Sequence, residues 1–168
     1  GDVYNGVMPW DYSGFGKGVY TMENASGTWT AKSTGINFSN DYLMYAAMAS
    51  NDVDTIYLGG HDNALGVPLV FQSTNGGSNW SKKFNTTNNA NIVTGWEGFG
   101  GDKNWSWSET CFGITVAPFN SGKVMFTKYS NGQLSSDGGN NRRQAYVHAA
   151  NEHPAGSSTP KNKAYHSI

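Results

Sequence analysis

Three tryptophans and three carboxylates crowd one stretch of the chain, "NIVTGWEGFGGDKNWSWSET" at 91–110. Trp96, Trp105 and Trp107 offer flat apolar faces, and Glu97, Asp102 and Glu109 offer acceptors beside them. Planar indoles next to carboxylates are what a sugar ring needs. Its C–H face stacks on the indole while its hydroxyls donate to the acids. Elsewhere, Asp11 lies between Trp10 and Tyr12, and Asp62 follows His61. Glycosidic cleavage by acids of this kind requires two carboxyl groups about 5 to 9.5 Å apart, one of them protonated. Asp11, Asp62 and Glu97 are the catalytic candidates. Trp10, Tyr12, His61, Trp96, Asp102, Trp105, Trp107 and Glu109 are the candidate sugar contacts. The residues leave open whether the chain cleaves a glycan or only holds one.

Other chemistry is poorly provided for. A net charge of −1 gives no basic footprint for nucleic acid. No apolar run reaches the roughly 20 residues of a membrane-spanning helix. Cys111 is the single cysteine, so no internal disulfide can form and a thiolate zinc cluster is excluded. His61, His148, His153 and His166 read as ordinary loop histidines, and neither metal nor cofactor is expected. Low charge with abundant Asn, Ser, Thr and Trp points to a secreted protein.

Such loops must be held by something. Charged residues make up 14% and aromatics 14%, and there are 22 glycines. That mixture suits short twisted strands joined by tight turns far better than helices. The turns repeat. "SSDGGNN" (135–141) and "STNGGSNW" (73–80) share a small residue, then Asp or Asn, then paired glycines, and "MENASGTW" (22–29) keeps their outline. In each, an aromatic residue or Arg follows the Asp or Asn by five: Asn24 to Trp29, Asn75 to Trp80, Asp137 to Arg142. Strand-like runs recur around them: "YLMYAAMAS" (42–50), "DTIYLGG" (54–60), "PLVFQS" (68–73) and "WSKKFN" (80–85), then "CFGITVAP" (111–118), "KVMFTKY" (123–129), "GQLSS" and "RQAYVH". Four short strands per unit is the pattern of a β-propeller blade.

The turn sequences resemble the Asp-box (BNR) repeat, Ser-x-Asp-x-Gly-x-x-Trp, found in propellers of sialidases and xyloglucan-degrading glycoside hydrolases. The resemblance implies an all-β fold of four-stranded antiparallel blades, about three in this chain, forming a partial or multi-chain ring. The units would span roughly 1–33 with the C-terminal strand 162–168, then 42–84 and 111–148, with 85–110 as a long loop. It also assigns Asn24, Trp29, Asn75, Trp80 and Asp137 to scaffolding, each turn joining the third and fourth strands of a blade. Because connections alternate between the two ends of a blade, ligand-binding loops would then lie at the opposite end. Three blades cannot close a ring, so further blades are expected from the same polypeptide, another chain or a second copy. The sequence therefore predicts a secreted, carbohydrate-active module resembling a glycoside hydrolase. The alternative is a non-catalytic scaffold for protein–protein assembly.

Overall fold

The computed structural model describes residues 18–22, 27–84, 111, 113–127 and 132–144. These residues form strands and turns, with no helix among them. The strands are β1 (Tyr20–Thr21), β2 (Thr30–Ala31), β3 (Asp41–Ala49), β4 (Asp52–Asp62), β5 (Val67–Ser73), β6 (Ser81–Phe84), β7 (Gly113–Ala117), β8 (Asn120–Thr127), β9 (Gly132–Ser135) and β10 (Arg143–Gln144). They assemble into a β1–β2 pair and two four-stranded antiparallel sheets, β3-β4-β5-β6 and β7-β8-β9-β10, with sequence order preserved in space. The expected four-strand units are present in both sheets.

The three units share one register. Tyr20 pairs with Ala31, Phe71 with Lys82, and Gln133 with Gln144, each pair four and seven residues from the Asn or Asp of its own turn. Each four-stranded sheet also shifts register just before an alanine at the end of its first hairpin, between Met48 and Ala49 and between Val116 and Ala117. The sheets thus share their turn register and this one irregularity, while the middle sheet adds shifts between Leu43 and Tyr45 and between Val70 and Phe71.

Packing follows from alternation along the strands. In β5, Leu69 and Phe71 point one way, into a cluster with Leu43, Ile56, Leu58 and Trp80 that also takes in Val19, Ile36 and Phe38. Val70 points the other way and joins Tyr57, Phe84, Cys111, Ile114, Val116, Val124 and Phe126. The middle sheet is therefore covered on both faces, which is why β5 is buried almost continuously instead of alternating with water. Phe84 and Phe126 meet across the second interface with ring centroids 5.2 Å apart. At one end, Ser50 donates to the Pro118 carbonyl through both its N–H (3.1 Å) and its hydroxyl (2.8 Å), so neighbouring hairpin tips are tied directly.

Some strands exceed their sequence expectation. β8 begins at Asn120 rather than 123, and β4 runs over Asp52–Asp62 rather than 54–60. Polar residues at those ends discourage a strand reading locally, but pairing of Asn120 with Ala117 and of Asp52 with Ala49 recruits them. Residues 1–17 of the first expected unit and its expected C-terminal strand 162–168 lie outside the described residues.

Candidate functional site

The repeated turns are built identically. In the β5–β6 connection, the Ser73 hydroxyl donates to Asn75 Oδ1 (2.9 Å) and accepts the Gly77 N–H (2.9 Å), while Asn75 Oδ1 accepts the Asn79 N–H (2.9 Å). In the β9–β10 connection, Ser135 donates to Asp137 Oδ1 (2.8 Å) and accepts from Gly139 (2.8 Å), and Asp137 Oδ1 accepts from Asn141 (2.8 Å). Paired glycines are needed because both residues take positive φ: 63° and 81° at Gly76 and Gly77, 73° and 88° at Gly138 and Gly139. Hydrogen bonds from the Asn141 backbone and side chain and from Ser135 hold the Asp137 carboxyl down at about 2. This carboxylate is a permanent acceptor inside its own turn, and it serves as scaffold.

The residue five positions on reaches into the preceding unit. Trp80 Nε1 donates to the Lys32 carbonyl (2.8 Å), and Arg142 Nη1 donates to the Lys83 carbonyl (3.1 Å). Lys32 and Lys83 stand three residues beyond Trp29 and Trp80, so the two contacts are equivalent. The lysines answer in kind: Lys32 Nζ lies 3.3 Å from Ser78 Oγ, and Lys83 Nζ lies 3.0 Å from Asn140 Oδ1. Arg142 replaces tryptophan by laying its guanidinium over the Phe84 ring, 4.5 Å from the centroid. Burial pulls its pKa down, and the Asp137 charge works against that.

At the opposite end of the middle sheet lies a cluster that the sequence showed only in part. Asp41 opens β3, Asp62 closes β4, and the two pair across the ladder. Lys82 extends from β6 past the Phe71 ring and places its ammonium 2.7 Å from Asp41 Oδ1 and 3.3 Å from Asp62 Oδ2. Asp41 Oδ1 has no other partner, so the ion pair is what satisfies it. Its second oxygen accepts the Asn37 N–H (2.8 Å), and Asp62 Oδ1 accepts from Ala64 (3.1 Å) and Leu65 (3.2 Å). Both carboxyl groups are almost wholly buried, 1% and 3% exposed at the side chain, against 34% for Lys82. Burial draws the Lys82 pKa down, yet the hydrogen bond and charge of Asp41, with Asp62 behind it, win and leave it raised. Asp62 thereby caps the 63–66 turn, and Asp41 does the same for 37–40.

This cluster fixes the loops of the expected ligand end. The Asn63 N–H donates to the Asn40 carbonyl (2.8 Å), which joins the two connections. Gly60 permits the close approach of β3 behind them, since a Cβ there would collide with the Tyr42 carbonyl. His61 is 1% exposed, with its ring tilted 35° against Tyr42. Cys111 is fully buried nearby, accepts no solvent, and has its thiol pushed up to about 12 by burial.

Of the sequence candidates, the structure brings His61 and Asp62 to the end opposite the glycine turns, both buried. Asn75 and Trp80 lie in the β5–β6 connection and Asp137 in the β9–β10 connection, while Trp29 is 63% exposed. Asp11, Glu97, Trp10, Tyr12, Trp96, Asp102, Trp105, Trp107, Glu109 and Asn24 lie outside the described residues. Sequence reading missed Asp41 and Lys82, because Lys82 lies 41 positions from Asp41 and 20 from Asp62 and leaves no local signature. It also missed Ser73 and Ser135, although their shared place two residues before Asn75 and Asp137 could have marked them.

Solved structures share this fold. A GH74 enzyme from Niastella koreensis superposes with a TM-score of 0.55 over 76% of this chain, at 22% identity. An ancestral GH74 enzyme gives 0.51 over 80% at 16% identity, and the GH74 xyloglucanase of Xanthomonas campestris gives 0.50 over 77% at 12%. The chain is a run of β-propeller blades. It spans only 16% to 19% of the length of those enzymes. No family model and no curated protein matches the sequence.

Proposed function

We propose that this chain is a secreted, carbohydrate-active β-propeller module that binds a polysaccharide at the sheet ends opposite its glycine turns. The observation that carries this reading is the division of labour between the two ends. Both described Ser-x-Asn/Asp turns are consumed by their own hydrogen bonds and by contacts with the preceding unit. The connections 34–40 and 63–66 meet at the other end, braced from beneath by Asp41, Lys82 and Asp62. Residues 85–110 follow β6 in sequence and carry Trp96, Trp105 and Trp107, which would supply sugar-stacking faces. The likeness to GH74 propellers supports a glycan as the ligand. Asp62 acts as a brace in this reading, because its oxygens are held by two N–H groups and an ammonium. Hydrolysis then rests on Asp11 and Glu97.

Affinity electrophoresis through gels cast with xyloglucan, cellulose derivatives and other plant or microbial polysaccharides tests the proposal. At least one gel should retard the chain, and Trp105→Ala or Trp107→Ala should release it. Unretarded migration in every gel would reject glycan binding. Reducing-sugar release that disappears in Asp11→Asn or Glu97→Gln would add cleavage to binding.

A further inference from the structure

The two equivalent turns carry different side chains at one position, and a single hydrolysis separates them. Asp137 and Asn75 each accept, through Oδ1, a serine hydroxyl two residues back and a backbone N–H four residues on. Asp137 uses its second oxygen as well, accepting from Asn141 Nδ2 at 2.6 Å. Asn79 stands where Asn141 does. The N–H that it sends to Asn75 Oδ1 fixes that atom as the oxygen and leaves an amide nitrogen at the second position. An amide nitrogen accepts nothing, so the Asn79 side chain has no counterpart of the Asn141 bond. Among the described residues, Asn75 Nδ2 in turn donates to none.

The residues around Asn75 supply a route from one form to the other. Asn75 is exposed to water, and Gly76 follows it. Glycine, having no side chain, obstructs least the attack of its own backbone nitrogen on the preceding amide carbon. When the Gly76 nitrogen bonds to Asn75 Cγ, the Cγ–Nδ2 bond breaks, ammonia leaves and a cyclic imide forms. Water then opens the imide at one carbonyl to give aspartate, or at the other to give isoaspartate, with no oxidant or co-reactant besides water. The folded turn holds ring closure back. Its Gly76 N–H is committed to the Asp54 carbonyl at 3.0 Å, and Asn75 Oδ1 is held by two donors. Conversion therefore proceeds through transient opening of the β5–β6 connection.

We propose that Asn75 is a site of spontaneous deamidation, and that its aspartate product closes the turn again in the form that Asp137 takes. The new oxygen replaces an idle donor and gives the Asn79 side chain an acceptor. Isoaspartate cannot do this. It adds a methylene to the backbone between Ser73 and Gly77, whose hydroxyl and N–H meet at 2.9 Å. Among the described residues, charges of both signs border the turn: Asp54 Oδ1 lies 3.3 Å from the place of a Cβ on Gly76, and Lys32 Nζ lies 3.3 Å from Ser78 Oγ. The added carboxylate thus meets attraction as well as repulsion. The proposal concerns a scaffold turn and is independent of glycan binding.

Peptide mapping of the full chain, aged in mildly alkaline buffer both folded and in urea, tests it. The peptide bearing Asn75 should gain the mass of an amide-to-acid exchange in both conditions. The gain should be about tenfold or more slower in the folded chain, because only opened turns react. Asn5 and Asn131 are also followed by glycine and are resolved as separate peptides, so the gain is assigned to position 75. Asn75→Asp should keep the melting temperature of the unaltered chain at neutral pH, whereas Asn75→Ala, which lacks the acceptor, should melt lower. A position 75 that keeps its amide in the aged folded chain, or converts as fast folded as in urea, would overturn the proposal. So would an Asn75→Asp chain that melts with Asn75→Ala.

Discussion

Asp137 and Asn75 do the same work with different chemistry. Each accepts a backbone N–H four residues on and a serine hydroxyl two residues back, yet only Asp137 is ionisable. Its pKa falls from the ordinary 3.8 to about 2 in the folded chain, so folding favours the charged form. The stability it contributes is fully present above about pH 4 and is lost as the pH falls through about 2. Asp137→Asn should therefore flatten the acid side of the stability profile and lower stability modestly at neutral pH. Thermal unfolding followed across that window checks this, and an unchanged acid limb in Asp137→Asn would contradict it. The sequence made this residue legible because turn chemistry is local: glycines, hydroxyl and carboxylate sit within five positions.

Among the elements, the middle sheet depends on a cation supplied by its outermost strand. Lys82 on β6 sets its ammonium against both Asp41 and Asp62, which open β3 and close β4 and are buried where water cannot replace it. Removing the ammonium while keeping both carboxylates should destabilise the sheet strongly. Breaking a buried pair costs about 3–5 kcal/mol. Because Lys82 keeps a third of its side chain in water, Lys82→Met should fall near the low end, at about 3 kcal/mol, read by urea unfolding at neutral pH. Removing one of the two stranded carboxylates with Asp41→Asn in the same chain should recover part of that loss. No period or motif announces such a cluster. Asp62 looked like an active-site acid because its neighbours in sequence are a histidine and a turn, whereas its neighbours in space are two backbone N–H groups and the Lys82 ammonium.

In the whole molecule, stability resides between sheets. Phe126 packs on Phe84 across the interface of the second and third units, and Tyr57 donates its hydroxyl to the Ser121 carbonyl at 2.8 Å across the same boundary. Phe126→Ala should cost about 3–5 kcal/mol through lost burial and the cavity left behind. The two sheets should still unfold in one transition, because neither covers its own apolar face. Coincident curves from circular dichroism and tryptophan fluorescence check that, and separated transitions would show the sheets to be independent.

The sequence alone determined that the chain is all-β and built from four-stranded antiparallel units joined by glycine-bearing turns. Those features depend on contacts within a dozen residues, where φ, hydroxyl and glycine requirements leave a readable pattern. Which faces of the units are covered was decided only by the fold, as were the pairing of Lys82 with two distant aspartates and the substitution of Arg142 for a tryptophan over Phe84. Those outcomes depend on side chains that meet across sheets, at separations of 20 to 60 positions, through burial that no local window records.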